Sequence, residues 1–107
     1  MNLFSIFNFH HEEFNNPKQE MIHFIVEIKK MLHSIEDYDL EFHVDRLINY
    51  VSSNSYEKAY DELYSIGRML DEDYNRCKKY REQIEKYLQK SWELFRIFNY
   101  QEKGMGK

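Results

Sequence analysis

Residues 39–70 read DLEFHVDRLINYVSSNSYEKAYDELYSIGRML, and the spacing of apolar side chains in this stretch decides the fold. In its first half, Leu40, Val44, Leu47, Ile48 and Val51 recur three and four residues apart, which predicts a helix over 39–52. Ser52-Ser53-Asn54-Ser55 interrupts the period as a loop, and Ser55 is placed to cap the next helix. In the second half, Tyr56, Ala59, Tyr60, Leu63, Ile66, Gly67 and Leu70 fall on one face, which predicts a helix over 56–70. Ala59 and Gly67 are small, so a neighbouring helix is expected to approach closely there. Two helices joined by so short a loop pack antiparallel.

The same period continues on both sides. Upstream, Asn16-Pro17 has the form of a helix start, with Asn16 as cap and Pro17 at the first helical position, where its missing N–H costs nothing. Met21, Ile25, Ile28, Leu32 and Ile35 then trace a stripe over 17–35, supported by Ile22 and Phe24. Downstream, Tyr74, Cys77, Ile84, Leu88, Trp92, Phe95 and Phe98 trace the longest stripe, widened by Tyr80 and Tyr87, and predict a helix over 73–99. Residues 100–107 form a tail. Residues 1–15 hold the apolar run from Leu3 to Phe9, which is expected to cover one end of the bundle as a short helix or turn, or else to serve as an exposed docking element.

Composition agrees with this outline. The chain has 107 residues with three Gly and one Pro, too few turn formers for an all-β fold. One Trp, nine Tyr and eight Phe supply enough apolar surface to offset the ordering entropy of a folded chain. A single cysteine excludes an intrachain disulfide and a cysteine-based zinc site. The expected architecture is therefore all-α: one four-helix bundle-like domain with a long C-terminal helix and a short apolar N-terminal segment. Met21 to Ile35 is broken by His23, Glu27, Lys29, Lys30 and His33, so no membrane span is expected. Residues 1–9 carry no basic residue ahead of their apolar part, unlike a secretory signal, and the expected location is cytoplasmic.

Several chemical sites can be weighed and set aside. Asp71, Asp73, Asn75 and Glu82 occupy four positions of a calcium-binding loop, but Arg76 stands where the sharp turn needs glycine. His10-His11-Glu12-Glu13 lacks a second ligand pair at helical spacing, and His23 with Glu27 lacks a third ligand. Some small helical nucleases place His a few residues after Arg, whereas here the last histidine, His43, precedes the first arginine, Arg46. Cys77 has no identifiable base, and no glycine-rich phosphate loop exists. Arg76, Lys78, Lys79 and Arg81 read as the solvated face of a helix. No catalysis, cofactor, metal or nucleic acid is expected.

Charge is the more informative property. Residues 1–75 carry 15 acidic and six basic side chains, and residues 76–107 carry four acidic and nine basic. From Glu36 to Asp73 there are 11 acidic and three basic residues. Such a segment repels nucleic acid phosphates and attracts basic partners.

The run Asp45-Arg46-Leu47-Ile48-Asn49-Tyr50-Val51-Ser52-Ser53-Asn54-Ser55-Tyr56-Glu57-Lys58-Ala59-Tyr60-Asp61-Glu62-Leu63 resembles small helical immunity proteins of bacterial polymorphic toxin systems, of the Maf and contact-dependent inhibition type. The likeness lies in Tyr50-Val51 before a short turn and in Ala59-Tyr60-Asp61-Glu62-Leu63 after it. It implies an inhibitor that binds and neutralises a cognate toxin with a basic surface, a nuclease for example, and that is a monomer in the complex. The expected contact surface is Glu36, Asp37, Tyr38, Asp39 and Glu41, with Asp61, Glu62 and Tyr64 and with Asp71, Glu72 and Asp73. The alternative is a helical adaptor or chaperone-like protein for another protein partner, a phage-encoded inhibitor included.

Overall fold

In the computed structural model, residues 16–72 and 78–105 are described, the side chains as far as residue 100. Four α-helices account for nearly all of them: α1 (Pro17–Ser34), α2 (Tyr38–Ser52), α3 (Tyr56–Glu72) and α4 (Arg81–Met105), the last entered through a 3-10 turn over Lys78–Tyr80. The all-α expectation holds, and the described residues include no strand. The apolar N-terminal run, Asp73, Tyr74 and Cys77 lie outside the described residues.

The first three helices start and stop as local chemistry dictates. Asn16 caps α1, its side chain accepting from the Gln19 N–H at 2.8 Å, and Pro17 takes the first helical position. Asp37 caps α2 by accepting from the Leu40 N–H. The α1–α2 and α2–α3 connections share one design. The Glu36 N–H donates to the His33 carbonyl and the Asp37 N–H to the Leu32 carbonyl. In the second turn, the Asn54 N–H donates to Val51 and the Ser55 N–H to Tyr50. Both are Schellman closures, and both put a non-glycine residue in the left-handed region, Glu36 at φ 58° and Asn54 at φ 63°. Ser55 acts through its carbonyl, which accepts the Ala59 N–H at 2.9 Å, while its hydroxyl lies 3.1 Å from that of Ser53.

The expected start of α4 at residue 73 lies outside the described residues, among which a 3-10 turn over Lys78–Tyr80 precedes the helix. The helix begins at Arg81 and runs on through Gly104 to Met105. Arg81 explains this boundary: it donates to the Leu70 carbonyl at 2.9 Å and pairs with Asp71 at 3.1 Å. One side chain thus satisfies an orphan carbonyl in the last turn of α3 and ties the start of α4 to it. On the other side of the turn, the Tyr80 phenol is hydrogen-bonded with Ser34 at the end of α1, which lowers its pKa below the ordinary tyrosine value.

α1 lies in the middle, packed on both α4 and α2, and α3 packs on α2. The spatial order is α4–α1–α2–α3, and the backbones of α3 and α4 approach each other much less than the other neighbouring pairs. One buried core runs through all four helices: Met21, Ile25, Ile28 and Leu32; Leu40, Val44, Leu47 and Val51; Ala59, Leu63, Ile66 and Leu70; Ile84, Leu88, Leu94, Phe95 and Phe98. Most of these are the stripe positions. Tyr60 departs from expectation. It sits on the stripe but is 51% exposed, because it lies on the edge of α3 that faces the widely spaced α4. Gly67 departs too, for the same reason. A β-carbon there would meet only Leu88 Cδ2, at 3.9 Å, so no close helix approach occurs.

Candidate functional site

The helix order divides surface charge between two pairs. α2 and α3 together carry eight acidic and three basic side chains, whereas α1 and α4 carry six acidic and eight basic. The acidic pair also presents aromatic rings to water: Tyr38 is 54% exposed, Phe42 57% and Tyr64 56%. At 3.6 residues per turn, Tyr38, Phe42 and Asn49 fall opposite the buried positions of α2, and Asp61 and Arg68 fall opposite those of α3. These residues form the outer face of the acidic pair. The Arg46 guanidinium lies 5.7 Å from the ring centres of both Phe42 and Tyr50 and donates a hydrogen bond to the Tyr50 hydroxyl, which with Glu62 raises its pKa.

The residues expected from the sequence to form the contact surface divide into three groups. Glu36, Tyr38, Asp39 and Asp61 are exposed on the α1–α2 turn and the outer face. Tyr64 is exposed toward α4, as is Asp71 at the end of α3. Others are engaged within the fold. Asp37 is fully buried as the α2 cap, so its place on a contact surface is corrected: a carboxylate that accepts main-chain N–H groups there is not presented outward. Glu62 needs the same correction. It is 6% exposed and holds His43 Nδ1 at 2.7 Å with one oxygen and Arg46 Nε at 3.0 Å with the other. Glu41 faces His33 at 3.1 Å, whereas Asp71 and Glu72 stay exposed while pairing with Arg81 and, at 3.5 Å, with Arg68.

Glu62 is the anchor of the α2/α3 seam. Around it, His43, Arg46, Tyr50, Lys58, Asp61 and Ser65 line a shallow depression of about 360 Å³. A His–Glu pair beside a serine invites comparison with a hydrolytic triad. No hydrogen bond joins Ser65 to His43, however, and both Glu62 oxygens are already engaged, one by the His43 ring and the other by the Arg46 guanidinium. This is the geometry of a polar strut. A second strut joins α1 to α2, where Lys29 and Asp45 meet at 2.7 Å and the hydrogen bond raises the lysine pKa. Among the described residues no three His, Cys, Asp or Glu side chains converge as a metal site would require, and no helix is long and apolar enough to cross a membrane.

The α3/α4 seam is different in kind. Between the two helices runs a groove of about 860 Å³, lined by Tyr60, Tyr64 and Gly67 on one side and by Leu88, Trp92 and Phe95 on the other. The sequence does not reveal it, because a continuous stripe on each helix does not tell how far apart the helices stand. Comparison with protein-family models, with curated proteins and with solved structures finds no match to this chain.

Proposed function

We propose that this chain is a non-catalytic binding protein that captures a basic-surfaced protein through the outer face of α2 and α3, as an immunity protein captures its toxin. The observation that carries the reading is the coincidence on one helix pair of the acidic charge and of outward-facing aromatic rings, Tyr38 and Phe42. Acidic charge steers a cationic partner into encounter. Aromatic and arginine side chains provide most of the energy once the surfaces meet, and Phe42 stands beside Arg46. The contact set consistent with this geometry is Glu36, Tyr38, Asp39, Phe42, Arg46 and Asp61, with Asp37 and Glu62 supporting it from beneath. That the partner is a toxin, and that the site of action is the bacterial cytoplasm, rest on the sequence resemblance. The groove between α3 and α4 is the one observation that favours the alternative, an adaptor for a partner helix.

The test is co-expression with the protein encoded next to this one, followed by titration of the purified pair. Protection of the cell at equimolar amounts is expected. Phe42→Ala should weaken binding about 30-fold, the effect of losing a central anchor worth about 2 kcal/mol. Asp61→Lys should slow association and flatten its salt dependence. A neighbour that stays toxic at equal amounts overturns the reading, as does tight binding that survives both substitutions.

A further inference from the structure

The groove between α3 and α4 is bridged at both ends and open between them. At one end Tyr60 crosses to Trp92 at 5.3 Å and to Phe95 at 6.5 Å. At the other, Arg81 crosses to the Leu70 carbonyl and to Asp71. From Tyr60 to Leu70 the helical rise is about 15 Å. A cleft bounded in this way suits a compact molecule better than a helix running through it, and its volume of about 860 Å³ is that of a small-molecule site. We propose that it binds a small planar aromatic acid, with the ring against Tyr64 and Trp92 over Gly67 and the carboxylate on Arg96.

The middle of the cleft has the surface that a flat ring needs. Gly67 puts no side chain into it, and a β-carbon in its place would find only Leu88 Cδ2 within 4 Å, at 3.9 Å. Tyr64 is 56% exposed and Tyr60 51%, so both keep ring surface free on the α3 side. Tyr60 and Trp92 meet at 80°, an edge-to-face arrangement that leaves room for a third ring.

The charged side chains along the cleft decide the sign of the ligand. Asp71 and Glu85 both face Arg81, at 3.1 and 3.3 Å. Arg68 faces Glu72 at 3.5 Å, and Glu93 lies 3.9 Å from Lys90. Arg96 is left over. It lines the groove, is exposed, and forms no ion pair or hydrogen bond among the described residues. It stands one helical turn beyond Trp92, at the end that Tyr60 bridges. The Arg81 end therefore keeps one carboxylate in excess and the Tyr60 end one cation. A carboxylate is drawn to Arg96, whose planar guanidinium can hold both of its oxygens. The inference does not depend on the α2/α3 reading, since the cleft lies on the opposite edge of α3 from the seam with α2.

The chain's one tryptophan gives a single indole N–H peak in a nitrogen–proton correlation spectrum, and that peak reports on the cleft. The full chain is titrated with cinnamate, with the neutral cinnamamide and with the cationic cinnamylamine. Cinnamate should move the Trp92 peak saturably, and should bind about fivefold more tightly than the amide, the gain from one solvent-exposed carboxylate–guanidinium contact. Arg96→Gln should remove that preference and leave the affinity for the amide unchanged. Gly67→Leu, which fills the cleft, should abolish binding of both while helical circular dichroism persists. A Trp92 peak that cinnamate leaves in place overturns the proposal and leaves the groove to a partner helix. Tighter binding of cinnamylamine than of cinnamate overturns it too, as does binding that survives in folded Gly67→Leu. If Gly67→Leu does not fold, Arg96→Gln decides: an unchanged preference for cinnamate there overturns the proposal.

Discussion

α3 has two edges, and they are held in opposite ways. Toward α2 the seam is closed by charge: the Glu62 carboxylate sits between His43 and Arg46, and the backbones lie close. Toward α4 the seam stands open. It is spanned by aromatic rings at one end, where Tyr60 meets Trp92 at 5.3 Å and Phe95 at 6.5 Å, and by Arg81 at the other. Ion pairs need contact distance to be worth their desolvation, so the polar seam fixes one register. Large rings tolerate separation, so the aromatic seam leaves room. The closed edge holds α2 and α3 together as one unit, and the open edge leaves the groove between α3 and α4.

The comparison breaks most severely at Phe95. Its ring is 2% exposed and packs edge-on against Phe98 at 5.3 Å, Tyr56 at 6.3 Å and Trp92 at 6.4 Å. Phe95→Ala is expected to cost about 3–5 kcal/mol in urea unfolding, since those rings cannot all collapse into the space left. A loss below about 1 kcal/mol would mean that the rings do not hold the open seam.

The closed seam should fail more gently. Glu62→Ala removes the shared partner of His43 and Arg46, and Arg46 is exposed enough to turn to water, so a loss of about 1–2 kcal/mol is expected. The neighbour Asp61, one position round the helix and exposed, should change stability by no more than about 0.5 kcal/mol as Asp61→Ala. Equal effects at the two positions would show that the strut does not set the seam.

Much of this architecture is legible in the sequence, and the part that is not has a common cause. α1 to α3 and their core positions follow from one helix's own period, and Asn16-Pro17 from local capping. Asp37 is legible too, as a short acidic residue just before a periodic run, but its place in an acidic segment hides the cap behind the charge. The role of Glu62 depends on the register of α2 against α3, and the exposure of Tyr60 on the distance of α3 from α4. Both are relations between helices. The 3-10 turn ahead of α4 is hidden for the same reason: the stripe keeps helical spacing from Tyr80 into the helix, and only the reach of Arg81 to the Leu70 carbonyl marks the boundary.

Gly67 gives the smallest effect and the sharpest reading of the open edge. In a closed four-helix bundle, a glycine on the buried stripe is expected to be there for close approach, and a methyl group would push the helices apart. Here the nearest side-chain atom to that methyl would be Leu88 Cδ2, at 3.9 Å, an ordinary contact on the end of a flexible side chain. The helix also gains by losing the conformational freedom that glycine has when unfolded. Gly67→Ala should therefore stabilise the protein by about 0.5–1 kcal/mol, read as a higher urea midpoint at unchanged slope. Destabilisation would mean that α3 and α4 approach closely in solution at this level, and that the edge is not open at Gly67.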